Sequence, residues 1–289
     1  MGEAAFFDLD KTVIASASMV AFGRPFYAAG LISRRMVVRG IWGQLVYLHL
    51  GASEQKLARM RESVLSLTRG WDQARISAIV AETLDTVVEP IIYAEALELM
   101  AEHRAAGRRI VIVSASPEEI VVPIGRLLDV DDVVASRALL TEEGRYTGQM
   151  DFYAYGPFKV EAMEALAERH DIDLASCWAY SDSYTDLPML LAVGHPVAVN
   201  PDRPLLKAAR ERGWEVRTFT RPVRLRHRLP AHAGRTTGVV VVGLVALAVG
   251  AWVWAERGRR YAARSFLAAS APRPTMTSKI TSFFMGGRR

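Results

Sequence analysis

Three short apolar runs, AAFF at 4–7, RIVIV at 109–113 and CWAY at 177–180, each stop at a charged or hydroxylated residue: Asp8, Ser114 and Ser181. Runs of this length, rich in β-branched and aromatic residues, read as strands buried on both faces. PVAV, within His195 to Asn200, reads as a further strand. Between Glu89 and Gly107, Ile91, Ile92, Ala94, Leu97, Leu99 and Met100 mark an amphipathic helix with Gly107 as its C-cap, and KVEAMEALAERH at 159–170 repeats the pattern. Strands alternating with helices predict an α/β fold, a three-layer open parallel sheet of Rossmann-like type covered on both faces. Ligands of such sheets sit at the carboxyl ends of the strands, where these polar residues fall.

Residues 15–88 interrupt the alternation with a helical stretch, expected from Ser18 through Gly30 and again from Ser33 to about Val88. An insertion after the first strand is expected to form a helical cap over its C-terminal end, leaving 1–14 and 89–220 as the core. Within the cap, IWGQLVYLHL at 41–50 is apolar but too short to span a bilayer; it reads as a cap-core helix or an interfacial surface. Glu142, Glu143 and Gly144, followed by RYTGQM, predict a hairpin turning at Gly144.

The net charge of +5 conceals a division along the chain. Residues 221–289 hold 13 Lys/Arg and one acid, Glu256, which leaves 23 basic and 30 acidic residues before them. An acidic body with a cationic tail argues against a nucleic-acid partner. Residues 221–235 read as a basic linker and 256–289 as a flexible basic tail. Between them, 236–255 (TTGVVVVGLVALAVGAWVWA) carry no charge, and about 20 such residues cross a bilayer as a helix. Trp252 and Trp254 near one end, with arginines on both sides, fit headgroup regions. The expectation is one transmembrane helix and a lipid bilayer as partner. The start, MGEAAFFDLD, has no signal-peptide pattern, so the globular body is expected at the cell membrane, facing the cytoplasm. The one cysteine, Cys177, excludes an intrachain disulfide, and no Cys/His cluster offers zinc a site. Gly-rich dinucleotide and P-loop fingerprints are absent, so neither a nicotinamide nor an ATP site is expected.

Four segments carry chemistry. FFDLDKT places Asp8 and Asp10 directly after the first strand, a costly pairing unless a cation or a shared proton compensates. VIVSAS places Ser114 at a strand end, and Lys159 heads a helix after GPF. In SDSYTD, Asp182 and Asp186 follow CWAY and would share one face if a helix begins there. Carboxylates for a hard divalent ion, an aspartate nucleophile, a lysine and hydroxyls together equip a site for phosphoryl transfer.

In this order, DLDKT, SAS, Lys159 and SDSYTD resemble the haloacid dehalogenase superfamily, and the inserted cap resembles its phosphoserine-phosphatase-like branch, over roughly residues 4–215. The resemblance implies a Mg²⁺-dependent phosphomonoesterase working through an aspartyl-phosphate. It makes Asp8 the nucleophile and Asp10 the acid that protonates the leaving alcohol and then activates water. Mg²⁺ would be held by Asp8, Asp182 and the backbone carbonyl of Asp10, with Asp186 in support, directly or through water. Thr12 would steady the loop through hydrogen bonds and, with Ser114, Ala115 and Lys159, would bind the phosphoryl group. The substrate is expected to be a small phosphate ester or a membrane lipid phosphate, with phosphoserine as the alternative and a non-catalytic membrane-anchored scaffold as a reading of another class.

The chain also departs from that branch. No acid lies between Asp10 and Glu54, where phosphoserine phosphatases usually carry a glutamate for the substrate ammonium. Ala115 and Ser116 stand where the family favours two glycines. Arg61 is a cap residue able to meet an anionic group.

Overall fold

The computed structural model describes residues 2–33, 66 and 68–222. All of them belong to the first of two units, Met1–Arg226; the second unit, His227–Arg289, lies outside the described residues. The expected transmembrane span at 236–255, the apolar segment at 41–50 and Arg61 also lie outside them. Among the described residues no helix is long and apolar enough to cross a membrane.

Seven strands form one sheet in the order β4-β3-β2-β1-β5-β6-β7. They are β1 (Ala4–Phe7), β2 (Arg109–Pro117), β3 (Asp132–Leu140), β4 (Tyr146–Phe152), β5 (Trp178–Ser181), β6 (His195–Val199) and β7 (Glu215–Arg217). The predicted open parallel sheet holds for six of them, whereas β4 pairs antiparallel with β3. The reason is local: Gly144, at φ +71°, closes a tight turn in which the Gly144 N–H donates to Thr141 O, so the chain folds straight back. The expected hairpin is thus an antiparallel edge of the main sheet.

β1 and the 110–113 stretch of β2 are apolar at every position because both faces are covered. Ala5 and Phe7 point into one core with Ile110, Ile112, Tyr180 and Val197; Ala4 and Phe6 point into another with Val111, Val113, Ala179 and Ala198. The first core is closed by α3 (Gln73–Val87), α4 (Ala94–Ala105) and α5 (Glu118–Leu127), which contribute Val80, Met100 and Ile124. The second is closed by α6 (Pro157–His170), α7 (Leu187–Leu191) and α8 (Arg203–Arg212), through Met163, Leu190 and Leu205. A 3-10 turn over Glu89–Ile91 precedes α4, so the single helix expected from Glu89 divides in two. The break falls at Ile92 and Tyr93, whose extended backbone pairs with the turn after β1: Ile92 bridges to Ile14, and the Tyr93 N–H donates to Val13 O at 2.9 Å.

The described part of the insertion supplies α1 (Ser18–Ala21), α2 (Gly23–Ala28) and α3, with Phe22, Phe26, Ile76 and Val80 joining the first core. At the other end, Glu95 accepts from the backbone N–H groups of Thr220 and Arg221, and the Arg221 guanidinium reaches Glu98. The packed chain therefore runs past residue 220, through Pro222, which bridges to Tyr93.

Candidate active site

β1 ends at Phe7, and the Asp8 N–H still donates to Tyr180 O at 2.9 Å, so Asp8 emerges in register with the end of β5. The chain then turns sharply: the N–H groups of Val13 and Ile14 both donate to Leu9 O, and Lys11 takes φ +63°. A non-glycine residue in the left-handed region costs about 1–2 kcal/mol and persists where its surroundings hold it. This turn sets Asp10 beside Asp8. Thr12 joins this turn through its N–H, which donates to Leu9 O at 3.4 Å, while its Oγ1 is buried without a hydrogen-bond partner among the described residues.

Lys159 sits in the first turn of α6, where Gly156, at φ +56°, and Pro157 start the helix. Its side chain is 2% exposed, and Nζ donates to Asp8 Oδ1 at 2.7 Å and to Asp186 Oδ2 at 2.8 Å. Ser181 Oγ donates to the same Asp186 oxygen at 2.8 Å. Asp186 thus grips the lysine that grips Asp8. Burial, with Asp186 and Asp10 nearby, pushes the Asp8 carboxyl above the ordinary carboxylate range despite the pull of Lys159. Burial works against the Lys159 ammonium, but the two carboxylates outweigh it and hold the group protonated.

Asp182 and Asp186 do not share a helix face. Asp182 lies in the loop after β5, and a 3-10 turn over Tyr184–Asp186 leads into α7. The Ser183 side chain caps that turn by accepting from the Thr185 N–H, and Pro188 fixes the helix start at Leu187, since a proline is placed well only in the first turn. Asp182 is held instead through its carbonyl, which accepts from the Asp202 N–H at 2.8 Å. Burial, together with Asp186 and Asp202, pushes its carboxyl up to about 6 against the pull of Lys11.

Ser114 and Ala115 lie within β2, which runs on to Pro117, whose partner is Ser136 of β3; the strand does not stop at Val113. Ser114 Oγ accepts from the Ser116 N–H at 3.2 Å, leaving its own O–H to donate, and Ala115 O accepts from Ser136 Oγ at 2.7 Å.

Two serines with no assigned role in the sequence reading also reach this site. Asp10 Oδ1 accepts from the Ser18 N–H at 2.9 Å and Oδ2 from Ser116 Oγ at 3.1 Å, while Ser18 Oγ donates to Ser116 Oγ at 2.8 Å. The one available signal was Ser116 standing where a glycine was expected.

Among the described residues no three acidic, histidine or cysteine side chains close into a metal-binding cluster. The expected Mg²⁺ set needs fewer: two carboxylates, Asp8 and Asp182, and one main-chain carbonyl, that of Asp10. These are the hard oxygen donors that Mg²⁺ takes while keeping several waters. The Asp8 and Asp182 carboxyls are raised first by burial and then by neighbouring carboxylates, Asp186 beside both, more than Lys159 and Lys11 lower them. A divalent cation beside them would offset both effects, and the donor set fits it.

The family model for haloacid dehalogenase-like hydrolases matches residues 5–191. A Mycobacterium tuberculosis H37Rv protein named a probable phosphatase is 49% identical over 253 residues, 87% of this chain and 88% of its own. A phosphoserine phosphatase of the same strain is 34% identical, covering 85% of this chain and 80% of its own. Among solved structures, a protein of unknown function from Bordetella pertussis Tohama I matches with a TM-score of 0.66 and 25% identity, over 75% of this chain and 98% of its own.

Proposed function

The chain belongs to the haloacid dehalogenase-like hydrolases and is a phosphatase of that family, and from that premise we propose that it hydrolyses phosphate monoesters through a phosphoryl-aspartate on Asp8. The observation that carries this reading is the buried bridge from Lys159 to Asp8 and Asp186, with Asp10 two residues beyond Asp8 on the same turn.

Asp8 attacks phosphorus through a carboxylate oxygen. As that bond forms and the bond to the substrate alcohol breaks, Asp10 gives its proton to the departing oxygen. The Ser18 N–H can only donate, so Asp10 Oδ1 stays an acceptor and the transferable proton belongs on Oδ2, where the Ser116 hydroxyl can donate or accept. Asp10 then takes a proton from water as that water attacks phosphorus and the bond to Asp8 breaks, releasing phosphate. Lys159, the Ser114 hydroxyl and the Ala115 N–H hold the phosphoryl oxygens. Asp8, Asp182 and the Asp10 carbonyl, with Asp186 in support, would hold Mg²⁺, which would supply positive charge to the phosphoryl oxygens.

The substrate in this reading is a small phosphate ester or a lipid phosphate presented at a bilayer. The uncharged span at 236–255 supports the second, because tethering raises the local concentration of enzyme near membrane substrates. In the same reading the protein is anchored once, its catalytic unit facing the cytoplasm. Phosphoserine is the less favoured substrate even though two relatives are named for it. Residues 11–53 contain no acid to meet its ammonium, and a desolvated cation without a partner loses affinity.

Phosphate release by the full-length protein in vesicles, with and without Mg²⁺, over phosphoserine, sugar phosphates and lysophosphatidate, tests the proposal. Mg²⁺-dependent turnover with the lipid ester preferred is expected. Turnover indifferent to Mg²⁺ contradicts the metal assignment, and equal rates on soluble and lipid esters contradict the lipid one.

A further inference from the structure

We propose that Ser116, backed by Ser18, is a positioning residue that fixes the orientation of the Asp10 carboxyl toward the leaving group. The inference rests on the reading of Asp10 as the acid. An aspartate carboxyl is free to rotate about its last torsion unless both oxygens are held, and that torsion is broad. Here each oxygen has its own donor, from a different part of the fold. The Ser18 main chain, at the start of the insertion, holds Oδ1; the Ser116 hydroxyl, near the end of β2, holds Oδ2.

The second contact is itself directed. Ser18 Oγ donates to Ser116 Oγ at 2.8 Å, so the Ser116 hydrogen is turned toward Asp10. Both serines are buried, Ser18 at 0% and Ser116 at 7% exposure, which keeps water from replacing either hydroxyl. A glycine at position 116 has no hydroxyl to offer, so this contact follows from the particular residue in this chain. Ser18 belongs to the insertion and Ser116 to the core sheet, so the acid is aimed jointly by core and insertion.

A misaimed acid matters in proportion to how much protonation the leaving group needs. An alkoxide leaves poorly without a proton, whereas p-nitrophenolate leaves well without one. Full-length protein in vesicles, with Mg²⁺, is therefore compared as wild type, Ser116→Ala, Ser116→Thr and Asp10→Asn on ethyl phosphate and p-nitrophenyl phosphate, reading alcohol release in a single turnover, because the later attack of water, in which Asp10 is the base, is common to both esters. Ser116→Ala is expected to lose about 10–100-fold in the rate of ethanol release, the scale of a misplaced catalytic group, and under about 3-fold in that of nitrophenol release. Ser116→Thr restores the hydroxyl and most of the ethanol-release rate. The retained nitrophenol-release rate shows that the alanine variant is folded. Equal losses on both esters, no loss on either, or a threonine variant no better than alanine overturns the proposal. Asp10→Asn is expected to show the same selectivity in alcohol release, more strongly. If Asp10→Asn slows alcohol release from both esters equally, the acid assignment itself fails, whatever Ser116 does.

Discussion

Lys159 is the residue on which the site's electrostatics turn, since its ammonium bonds to both Asp8 and Asp186. Replacing it by methionine keeps most of the volume and leaves two buried carboxylates facing each other without a cation. Breaking such a pair costs about 3–5 kcal/mol. The expected result is a large fall in the thermal midpoint of Lys159→Met, partly recovered when Asp186→Asn removes one of the stranded charges. A double variant no more stable than the single one contradicts this account. Asp8, Asp10, Ser114, Lys159, Asp182 and Asp186 were legible in the sequence because each follows a short apolar run or heads a helix, so position and residue type coincide. Ser18 and Ser116 were not. A hydroxyl that meets a carboxylate 106 positions away leaves no periodic trace, and only the folded chain brings the two together. The shared helix face expected for Asp182 and Asp186 overlooked Pro188 and the Ser183 cap, local signals that were present and outweighed the i, i+4 spacing.

At the scale of elements, the sheet was legible where strands are buried on both faces and illegible where pairing decides the outcome. β2 runs on to Pro117 because β3 offers Ser136 as a partner, and β4 joins as an antiparallel edge because Gly144 folds the chain back. The contact of α5 with β3 is close enough to test. A Cβ on Gly125 would fall 2.5 Å from Val133 Cγ2 and 3.1 Å from Val130 Cγ2. Gly125→Ala should therefore push the helix off the strand and cost about 1–3 kcal/mol, read from denaturant unfolding, despite alanine's better helix propensity. A stabilised variant contradicts the packing described. The contact of α4 with β5 carries a pH signature. His103 is buried, its Nε2 is 2.7 Å from the Tyr180 hydroxyl, and burial with the charges of Arg108 and Arg217 lowers its pKa to about 4. The unfolded chain binds this proton near pH 6.5 and the folded one only near 4, so stability falls as pH drops between those values, by about 1 kcal/mol per pH unit. His103→Gln should flatten that slope in unfolding measured from pH 7 to 4, and an unchanged slope contradicts the assignment.

For the whole molecule, the described fold ends at Pro222 against Tyr93, and the proposed membrane anchor lies beyond it in the sequence. Residues 1–226 should turn over a soluble aryl phosphate with the kcat of the full-length protein while failing to float with liposomes that retain the full chain. Flotation of the shortened protein contradicts an anchor at 236–255. The central claim is the covalent step on Asp8. Its most direct measurement is acid quenching of Asp10→Asn during turnover of p-nitrophenyl phosphate with Mg²⁺, followed by mass spectrometry of the peptide spanning residues 2–11. The account predicts a phosphoryl group on Asp8, absent when Asp8→Asn is combined with Asp10→Asn. Continued phosphate release by the Asp8→Asn single variant, with no phosphoryl peptide in either protein, would contradict it.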